Sequence, residues 1–269
     1  MSTAVAPVVP APLYFGPAGE LFGVYHAPDA APRRAGAIVL CYPGGHEYLR
    51  VQRSFRNAAA SLARLGFPVF RFDYSGTGDS AGDGASADLA SWRRDLGAAI
   101  AEAKRLSGST RVALAGLRLG ASLAWMEASS RDDVDAVVAW DPIIDGAAYV
   151  EELLALEGRW LADPSRVRSA RRTPGTLLGF PFSESLGAAL RDLDLAPHFP
   201  RTRGAFAVDS IERPERQAWR ARLVELYGPL ACAIVPAFTD WDAAAAIHTA
   251  VYPAQFSQVL ARVFGTLVR

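Results

Sequence analysis

Cysteine, histidine and any excess of one charge are scarce in this sequence. Its 269 residues include two cysteines, Cys41 and Cys232, both inside apolar runs, which indicates reduced core thiols rather than a disulfide framework. The 28 basic residues balance the 28 acidic ones, so nucleic acid and anionic membrane surfaces are not expected partners. No Cys/His set has metal-ligand spacing, and no phosphate-binding loop is complete. We therefore expect no metal and no cofactor.

Long hydrophobic runs are also missing. No apolar stretch approaches the length that spans a membrane. Residues 1–12 lack the basic start of a signal peptide and are interrupted by prolines, which predicts a flexible lead-in. The sequence thus predicts a cytoplasmic protein with no membrane partner.

What the sequence does have is apolar residues, 51% of the total, enough for a sizeable core. Apolar runs alternate with amphipathic segments, which predicts a mostly parallel sheet with helices on both faces. The predicted strands lie at 13–15, 21–25, 35–42, 69–73, 136–140, 205–208 and 233–235, with a central strand starting at 112. The predicted helices lie at 50–65, 87–106, 122–129, 214–227 and 259–268.

Residues 146–200 differ from the segments on either side. They contain helical pieces, scattered prolines and a basic cluster between 166 and 172 that we interpret as a solvated face. We predict that residues 146–200 form an inserted cap over the strand ends, and that residues 1–145 and 201–269 form the core.

Residues 112–121 read Val-Ala-Leu-Ala-Gly-Leu-Arg-Leu-Gly-Ala, a short apolar run that leads into a Gly-x-x-x-Gly turn and then into helix formers. The same strand, turn and helix presents the nucleophile of α/β-hydrolases, where the turn reads Gly-x-Ser-x-Gly. Here the central position holds Arg118 in place of serine.

Several further stretches resemble the α/β-hydrolase superfamily in its serine-aminopeptidase-like branch, and within that branch the hydrolase-like proteins associated with the exosortase system. The resemblance lies at residues 40–53, 66–81, 115–124, 137–154 and, more weakly, 178–195. It implies the α/β-hydrolase fold, with a mostly parallel sheet of eight-stranded type and a small helical cap. A Gly-Leu-Arg-Leu-Gly elbow is what that subgroup leads one to expect.

Arginine cannot replace serine as a nucleophile, because it has no acceptor lone pair and stays protonated. A cation at a helix N-terminus opposes the helix dipole, and burying it without a partner costs more. We therefore expect an anion beside Arg118: an internal carboxylate, with Asp141 or Asp209 the first candidates, or a carboxylate or phosphate of a ligand. Ser122, one turn further on, is interpreted as a packing residue.

The other catalytic positions follow from chain order, which in this fold is Ser…Asp…His. Asp209 follows a predicted strand at the position of the acid, and His248 lies before the last helix at the position of the base. Asp141 is an alternative acid. Each also has a structural interpretation: Asp209 as a turn or cap residue, Asp141 as part of an Asp-Pro turn, and His248 as a surface residue at a helix start.

Residues 44–47, Gly44-Gly45-His46-Glu47, occupy the place of the oxyanion loop, where glycines let backbone N–H groups approach a developing negative charge. We predict that Gly44, Gly45, His46 and Glu47 bind substrate together with Leu119. His46 and Glu47 have the chemistry of an acid and a base, but lining the pocket is the preferred interpretation.

These residues leave three functions open. The first is a non-hydrolytic protein that binds and processes an acidic or acyl-bearing small molecule without an acyl-enzyme, with His248 or His46 as a base. The second is an ester, thioester or amide hydrolase that activates water with a His–Asp pair. The third is a catalytically inactive scaffold or binding protein. The expected partner is an anionic or acyl-bearing small molecule, and a homodimer is possible.

Overall fold

Strands and helices alternate through most of the chain. The structure, a computed structural model, describes residues 9–29, 33–163, 173–236, 241 and 254–267. The strands are β1 (Ala11–Phe15), β2 (Leu21–His26), β3 (Ala37–Cys41), β4 (Val69–Phe72), β5 (Val112–Leu117), β6 (Val134–Trp140), β7 (Thr176–Leu177), β8 (Phe180–Pro181), β9 (Gly204–Asp209) and β10 (Cys232–Ile234). The helices are α1 (Gly45–Arg64), α2 (Leu89–Ser107), α3 (Arg118–Ser130), α4 (Gly146–Leu161), α5 (Glu184–Arg191), α6 (Gln217–Tyr227) and α7 (Ala254–Leu267).

Eight strands form one sheet in the order β1-β2-β4-β3-β5-β6-β9-β10. β2 pairs antiparallel with β1 and β4, and the other neighbours are parallel. Every residue of β3 and β5 is buried, which explains why both read as continuous apolar runs. The prediction of a mostly parallel eight-stranded sheet is confirmed, and with it the α/β-hydrolase fold.

The strand order places helices on both faces. From β3 the chain passes through α1 to β4 on one side of β3, then through α2 to β5 on the other side. Right-handed crossovers in opposite directions put these two helices on opposite faces of the sheet. α7 packs against α1, where the rings of Phe55 and Phe256 lie 5.3 Å apart.

Helix ends follow local chemistry. α2 begins with a capping box, in which Asp88 and Ser91 each accept a hydrogen bond from the other's backbone N–H, and it ends at Gly108 in the left-handed conformation. α1 begins at Gly45, five residues before the predicted start. His46 and Glu47 therefore lie in the first turn of a helix rather than on a loop; the glycines, poor helix formers, hid this start.

Residues 146–200, called the insertion below, leave the sheet after β6 and return at β9. They contain α4, the β7–β8 hairpin and α5. The N–H of Gly146 donates to the carbonyl of Leu193 at 2.8 Å, and a Cβ at Gly146 would lie 1.8 Å from the Leu190 carbonyl oxygen, so α4 and α5 meet closely here. The hairpin was not predicted, because two-residue strands show no period of two.

The predicted boundaries of the insertion as a separate cap stay a prediction. The basic cluster between 166 and 172 lies outside the described residues. Within the described part of the chain, no helix combines the length and apolar character needed to cross a membrane.

Candidate functional site

The elbow at residues 116–120 joins β5 to α3. Arg118 has a φ of 51°, in the left-handed region that residues other than glycine rarely adopt. A Cβ on Gly120 would lie 2.2 Å from the carbonyl oxygen of Tyr42, and one on Gly116 would lie 2.5 Å from the carbonyl carbon of Gly120. Both glycines are therefore required by close packing. The turn has the strained geometry of a nucleophile elbow, with a guanidinium at its centre.

Two carboxylates bind the Arg118 side chain, which is 1% exposed. Its Nε donates to Oε1 of Glu47 at 2.8 Å, and its Nη2 donates to Oε1 of Glu152. The Tyr149 hydroxyl donates to the other oxygen of Glu47 at 3.1 Å. Burial lowers the pKa of Arg118, but the charges of Glu47 and Glu152 raise it more, so the pKa lies above its usual value. Arg118 is thus a permanent, fully paired cation.

The expected anion beside Arg118 is present, and it is an internal one. Its identity was predicted wrongly: Glu47 and Glu152 pair with the guanidinium, whereas Asp141 and Asp209 bind other groups. The wrong choice has a simple cause: Asp141 follows β6, the neighbour of β5, and Asp209 ends β9, the next strand in the sheet, while the glutamates come from helices distant in sequence.

Ser122 is a packing residue, as predicted. It is fully buried, and its hydroxyl donates to the carbonyl of Ile143 at 2.9 Å and accepts from the Ile143 N–H at 2.7 Å. The hydroxyl is therefore committed to joining α3 to the segment after β6.

Trp241 lies beside Arg118, with the guanidinium carbon 5.5 Å from the centre of the indole ring. The indole Nε1 donates to Oδ2 of Asp141 at 2.8 Å. Asp141 is fully buried and also accepts from the N–H and hydroxyl of Ser210, at 2.8 and 2.5 Å. Trp241 thus contacts Arg118 on one side and Asp141 on the other, as the histidine of a serine hydrolase contacts the nucleophile and the acid. An indole N–H can donate but cannot take up a proton.

Asp209 is the last residue of β9 and is 1% exposed. Arg216 donates to it through Nη1 and donates through Nη2 to the carbonyl of Pro142 at 2.8 Å. Burial raises the pKa of Asp209, and Arg216 opposes this rise. The structure therefore gives this predicted acid an arginine partner. The predicted base, His248, lies outside the described residues.

A cavity of about 380 Å³ lies next to the elbow. Of the predicted substrate-binding residues, Gly44, Gly45, His46 and Leu119 line it. Glu47 does not, because its carboxylate is turned into the ion pair with Arg118. The insertion supplies an apolar wall, which consists of Leu153, Leu177, Leu178, Phe180, Phe182, Leu186 and Leu190.

The N-termini of α1 and α3 meet at this cavity. The residues before the two helices, Gly44 and Leu117, provide no side-chain cap. A Cβ added to Gly44, the residue before α1, would lie 3.5 Å from Cδ2 of Leu119 in the first turn of α3. Backbone N–H groups at helix starts have no partner within the helix and attract negative charge. The cavity therefore combines an apolar wall with a place suited to a partly negative oxygen.

Charge at the cavity is sparse. Among its described lining residues none is lysine or arginine, and Asp79 is the acidic one. Across the described residues, no group of three or more His, Cys, Asp and Glu side chains is placed to hold a metal ion.

Sequence reasoning missed three residues of this site: Tyr149, Glu152 and Trp241. Tyr149 and Glu152 lie three residues apart on α4, a spacing that puts them on neighbouring positions of one helix face. That spacing makes them neighbours on the helix, but nothing in it points to residue 118. Trp241 gives no sequence signal beyond being an aromatic residue after the last strand.

Comparison with known families places these features in context. The sequence model of a family described as serine aminopeptidase, S33, matches residues 33–177, more than half of the chain. No curated protein matches the chain in sequence.

Solved structures share the fold at low sequence identity. The Pyrococcus furiosus esterase Pf2001 is similar with a TM-score of 0.64 and 15% identity, over 96% of this chain and 90% of that one. Est1E from Butyrivibrio proteoclasticus, solved with ferulic acid bound, gives a TM-score of 0.63 and 16% identity, over 92% and 95% of the two chains. XC6422 from Xanthomonas campestris, described as an α/β serine hydrolase without a lid, gives 0.58 and 17%, over 99% and 98%.

Proposed function

Because the chain belongs to the serine aminopeptidase S33 family yet has Arg118 at the elbow, we propose that it binds an acyl-bearing small molecule without forming an acyl-enzyme. The observation that carries the proposal is the buried pairing of Arg118 with Glu47 and Glu152. A covalent intermediate needs a nucleophile that a base can deprotonate, and a paired guanidinium offers none.

The cavity supports the binding half of the proposal. Leu153, Leu186 and Leu190 give an acyl chain an apolar surface. The backbone N–H groups at Gly45 and Leu119 supply donors for a carbonyl oxygen at the starts of two helices. Such donors beside a position that lacks a nucleophile favour recognition of an acyl group over its cleavage.

The charges favour a neutral ligand such as an ester, thioester or amide over a free acid. Arg118 is enclosed by its own carboxylates, and Asp79 at the cavity would repel an anion. The anionic ligand that the sequence left open is therefore the less favoured of the two.

Leu49 offers the sharpest test, because it lines the cavity and is still 55% exposed, so that substitution leaves the core intact. We expect Leu49→Glu to weaken binding of N-methyl decanamide about tenfold by isothermal titration calorimetry, since the ligand loses an apolar contact and meets a charged side chain instead. Leu65→Glu is the matched control: it is 45% exposed and follows the far end of the same helix. Equal loss in both variants would place the ligand elsewhere.

Catalysis is tested on the same protein. We expect no labelling by a fluorophosphonate probe and no turnover of 4-nitrophenyl decanoate. Labelling of the wild-type chain would show that another residue serves as a nucleophile and would overturn the proposal.

One observation favours a second candidate, proton transfer on the bound ligand. His46 lines the cavity in the first turn of α1, within the space an acyl group would occupy. Water activation by a His–Asp pair has less support, because Asp141 accepts from Trp241 and Ser210, and Asp209 accepts from Arg216. Ligand turnover that His46→Gln abolishes would favour this candidate.

A further inference from the structure

α4 contributes side chains both to the wall of the cavity and to the ion pair of the elbow. Tyr149 and Leu153, one turn apart, line the cavity. Glu152 between them binds Arg118 of the elbow. The position of the cavity wall is therefore tied to the position of one carboxylate.

The ion pair is one of several contacts between two parts of the molecule, since β8 and α5 of the insertion also pack against α1 and α2. Arg118 and Glu47 belong to α3 and α1, which flank the sheet, whereas Glu152 belongs to the insertion. The backbone of α4 packs mainly against α5 and β7, which are also parts of the insertion. Side chains of α4 connect it to the core: Glu152 binds Arg118 and Tyr149 binds Glu47. The apolar residues Val150 and Leu156 are buried in the common core.

The two carboxylates are unequal partners. The Glu47 side chain is 1% exposed, and that of Glu152 is 24% exposed. Arg118 keeps its fully buried partner when Glu152 moves away, so the guanidinium is never left without a counter-charge. Release of Glu152 is accordingly the less costly of the two separations.

We propose that the Arg118–Glu152 ion pair is a latch that holds α4 closed over the cavity, so that ligands enter and leave when it opens. This rests on the proposed function for the identity of the ligand, but the movement itself does not depend on any ligand. The residue at the nucleophile position then controls access to the cavity.

The test compares Glu152→Gln with Glu151→Gln. Glu151 is the neighbouring residue, its side chain is 71% exposed, and its partner, Arg191 at 3.7 Å, belongs to the insertion itself. By hydrogen exchange without ligand, we expect Glu152→Gln to speed exchange of the α4 amides at least tenfold, with α1 and β5 unchanged. Glu151→Gln should match the wild-type chain.

Ligand kinetics give a second readout. If closure gates the cavity, the association and dissociation rates of N-methyl decanamide rise by the same factor in Glu152→Gln, and Kd stays nearly constant. A change in Kd through dissociation alone would indicate a plain ligand contact and would overturn the latch.

Two results of the exchange experiment would also overturn it: equal exchange in both variants, or faster exchange throughout the sheet. If no variant binds the amide, the exchange data still decide the latch, and the failure belongs to the proposed ligand.

Discussion

Arg118 is a buried cation at a helix N-terminus, and two free-energy costs of different size oppose its placement there. A cation at a helix N-terminus is disfavoured by about 0.3–1 kcal/mol, and an unpaired buried charge costs several kcal/mol more. Two carboxylates remove the larger cost, so the smaller one from the dipole is tolerated. The two ion pairs thus allow this residue to be buried, and they do not add net stability to the fold.

Replacing the arginine by the family's usual nucleophile tests this residue. We expect Arg118→Ser to show no esterase activity, because Trp241, which lies beside position 118, can donate a hydrogen bond but cannot take up a proton. We also expect the free energy of unfolding in urea to fall by about 3–5 kcal/mol, since Glu47 stays buried without its partner.

A double-mutant cycle provides the control. Arg118→Ser combined with Glu47→Gln should lose less stability than the two single variants added together, because no uncompensated charge remains. Ester hydrolysis by Arg118→Ser would contradict the account and would show that a working acid and base are still in place.

At the scale of elements, the elbow depends on α3 approaching β3 more closely than a side chain allows. Gly120 makes this approach, and its added Cβ would lie 2.2 Å from the Tyr42 carbonyl oxygen and 2.3 Å from that of Cys41. Both obstacles are backbone atoms of the segment leading to the cavity. A side chain at position 120 would therefore fit only if α3 moved and the cavity changed shape.

Two glycine-to-alanine variants separate this contact from helix propensity. We expect Gly120→Ala to destabilise the protein by about 2 kcal/mol or more in thermal unfolding, as overpacking does. Gly97→Ala, inside α2, should stabilise it by about 0.5–1 kcal/mol, because its Cβ meets nothing closer than Arg131 Nη1 at 3.9 Å. Stabilisation by Gly120→Ala would refute the close approach.

At the scale of the whole molecule, one buried histidine governs part of the response to acid. His26 is 3% exposed and accepts a hydrogen bond from Nε of Arg71 at 3.2 Å. Burial and the charge of Arg71 lower the pKa of His26 to about 4. In the unfolded chain His26 is therefore protonated near pH 6.5, whereas in the folded chain it is protonated only near pH 4.

The free energy of unfolding should accordingly fall by about 3 kcal/mol as the pH drops from 6.5 to 4, through this residue alone. Burial raises the pKa of Asp73, Asp95 and Asp209, which opposes the trend at the acid end. We therefore compare the wild-type chain with His26→Gln. The difference between their free energies of unfolding should shrink as the pH falls.

The sequence by itself predicted the fold and the presence of a cation at the elbow that needs a counter-charge. Fully buried strands such as β3 and β5 read as apolar runs, and the glycines at 116 and 120 marked a tight strand-to-helix turn. These signals are local, so one sequence suffices to read them. The need for an anion beside Arg118 followed from the charge of the residue alone.

The tertiary structure decided which groups meet that need. Glu47 is 71 residues from Arg118 and Glu152 is 34 residues away, and each lies on a helix whose sequence pattern records only its own buried face. Trp241 reaches Asp141 across 100 residues. Pairing of side chains so far apart depends on how the crossovers stack the helices on the sheet, and no local pattern encodes that.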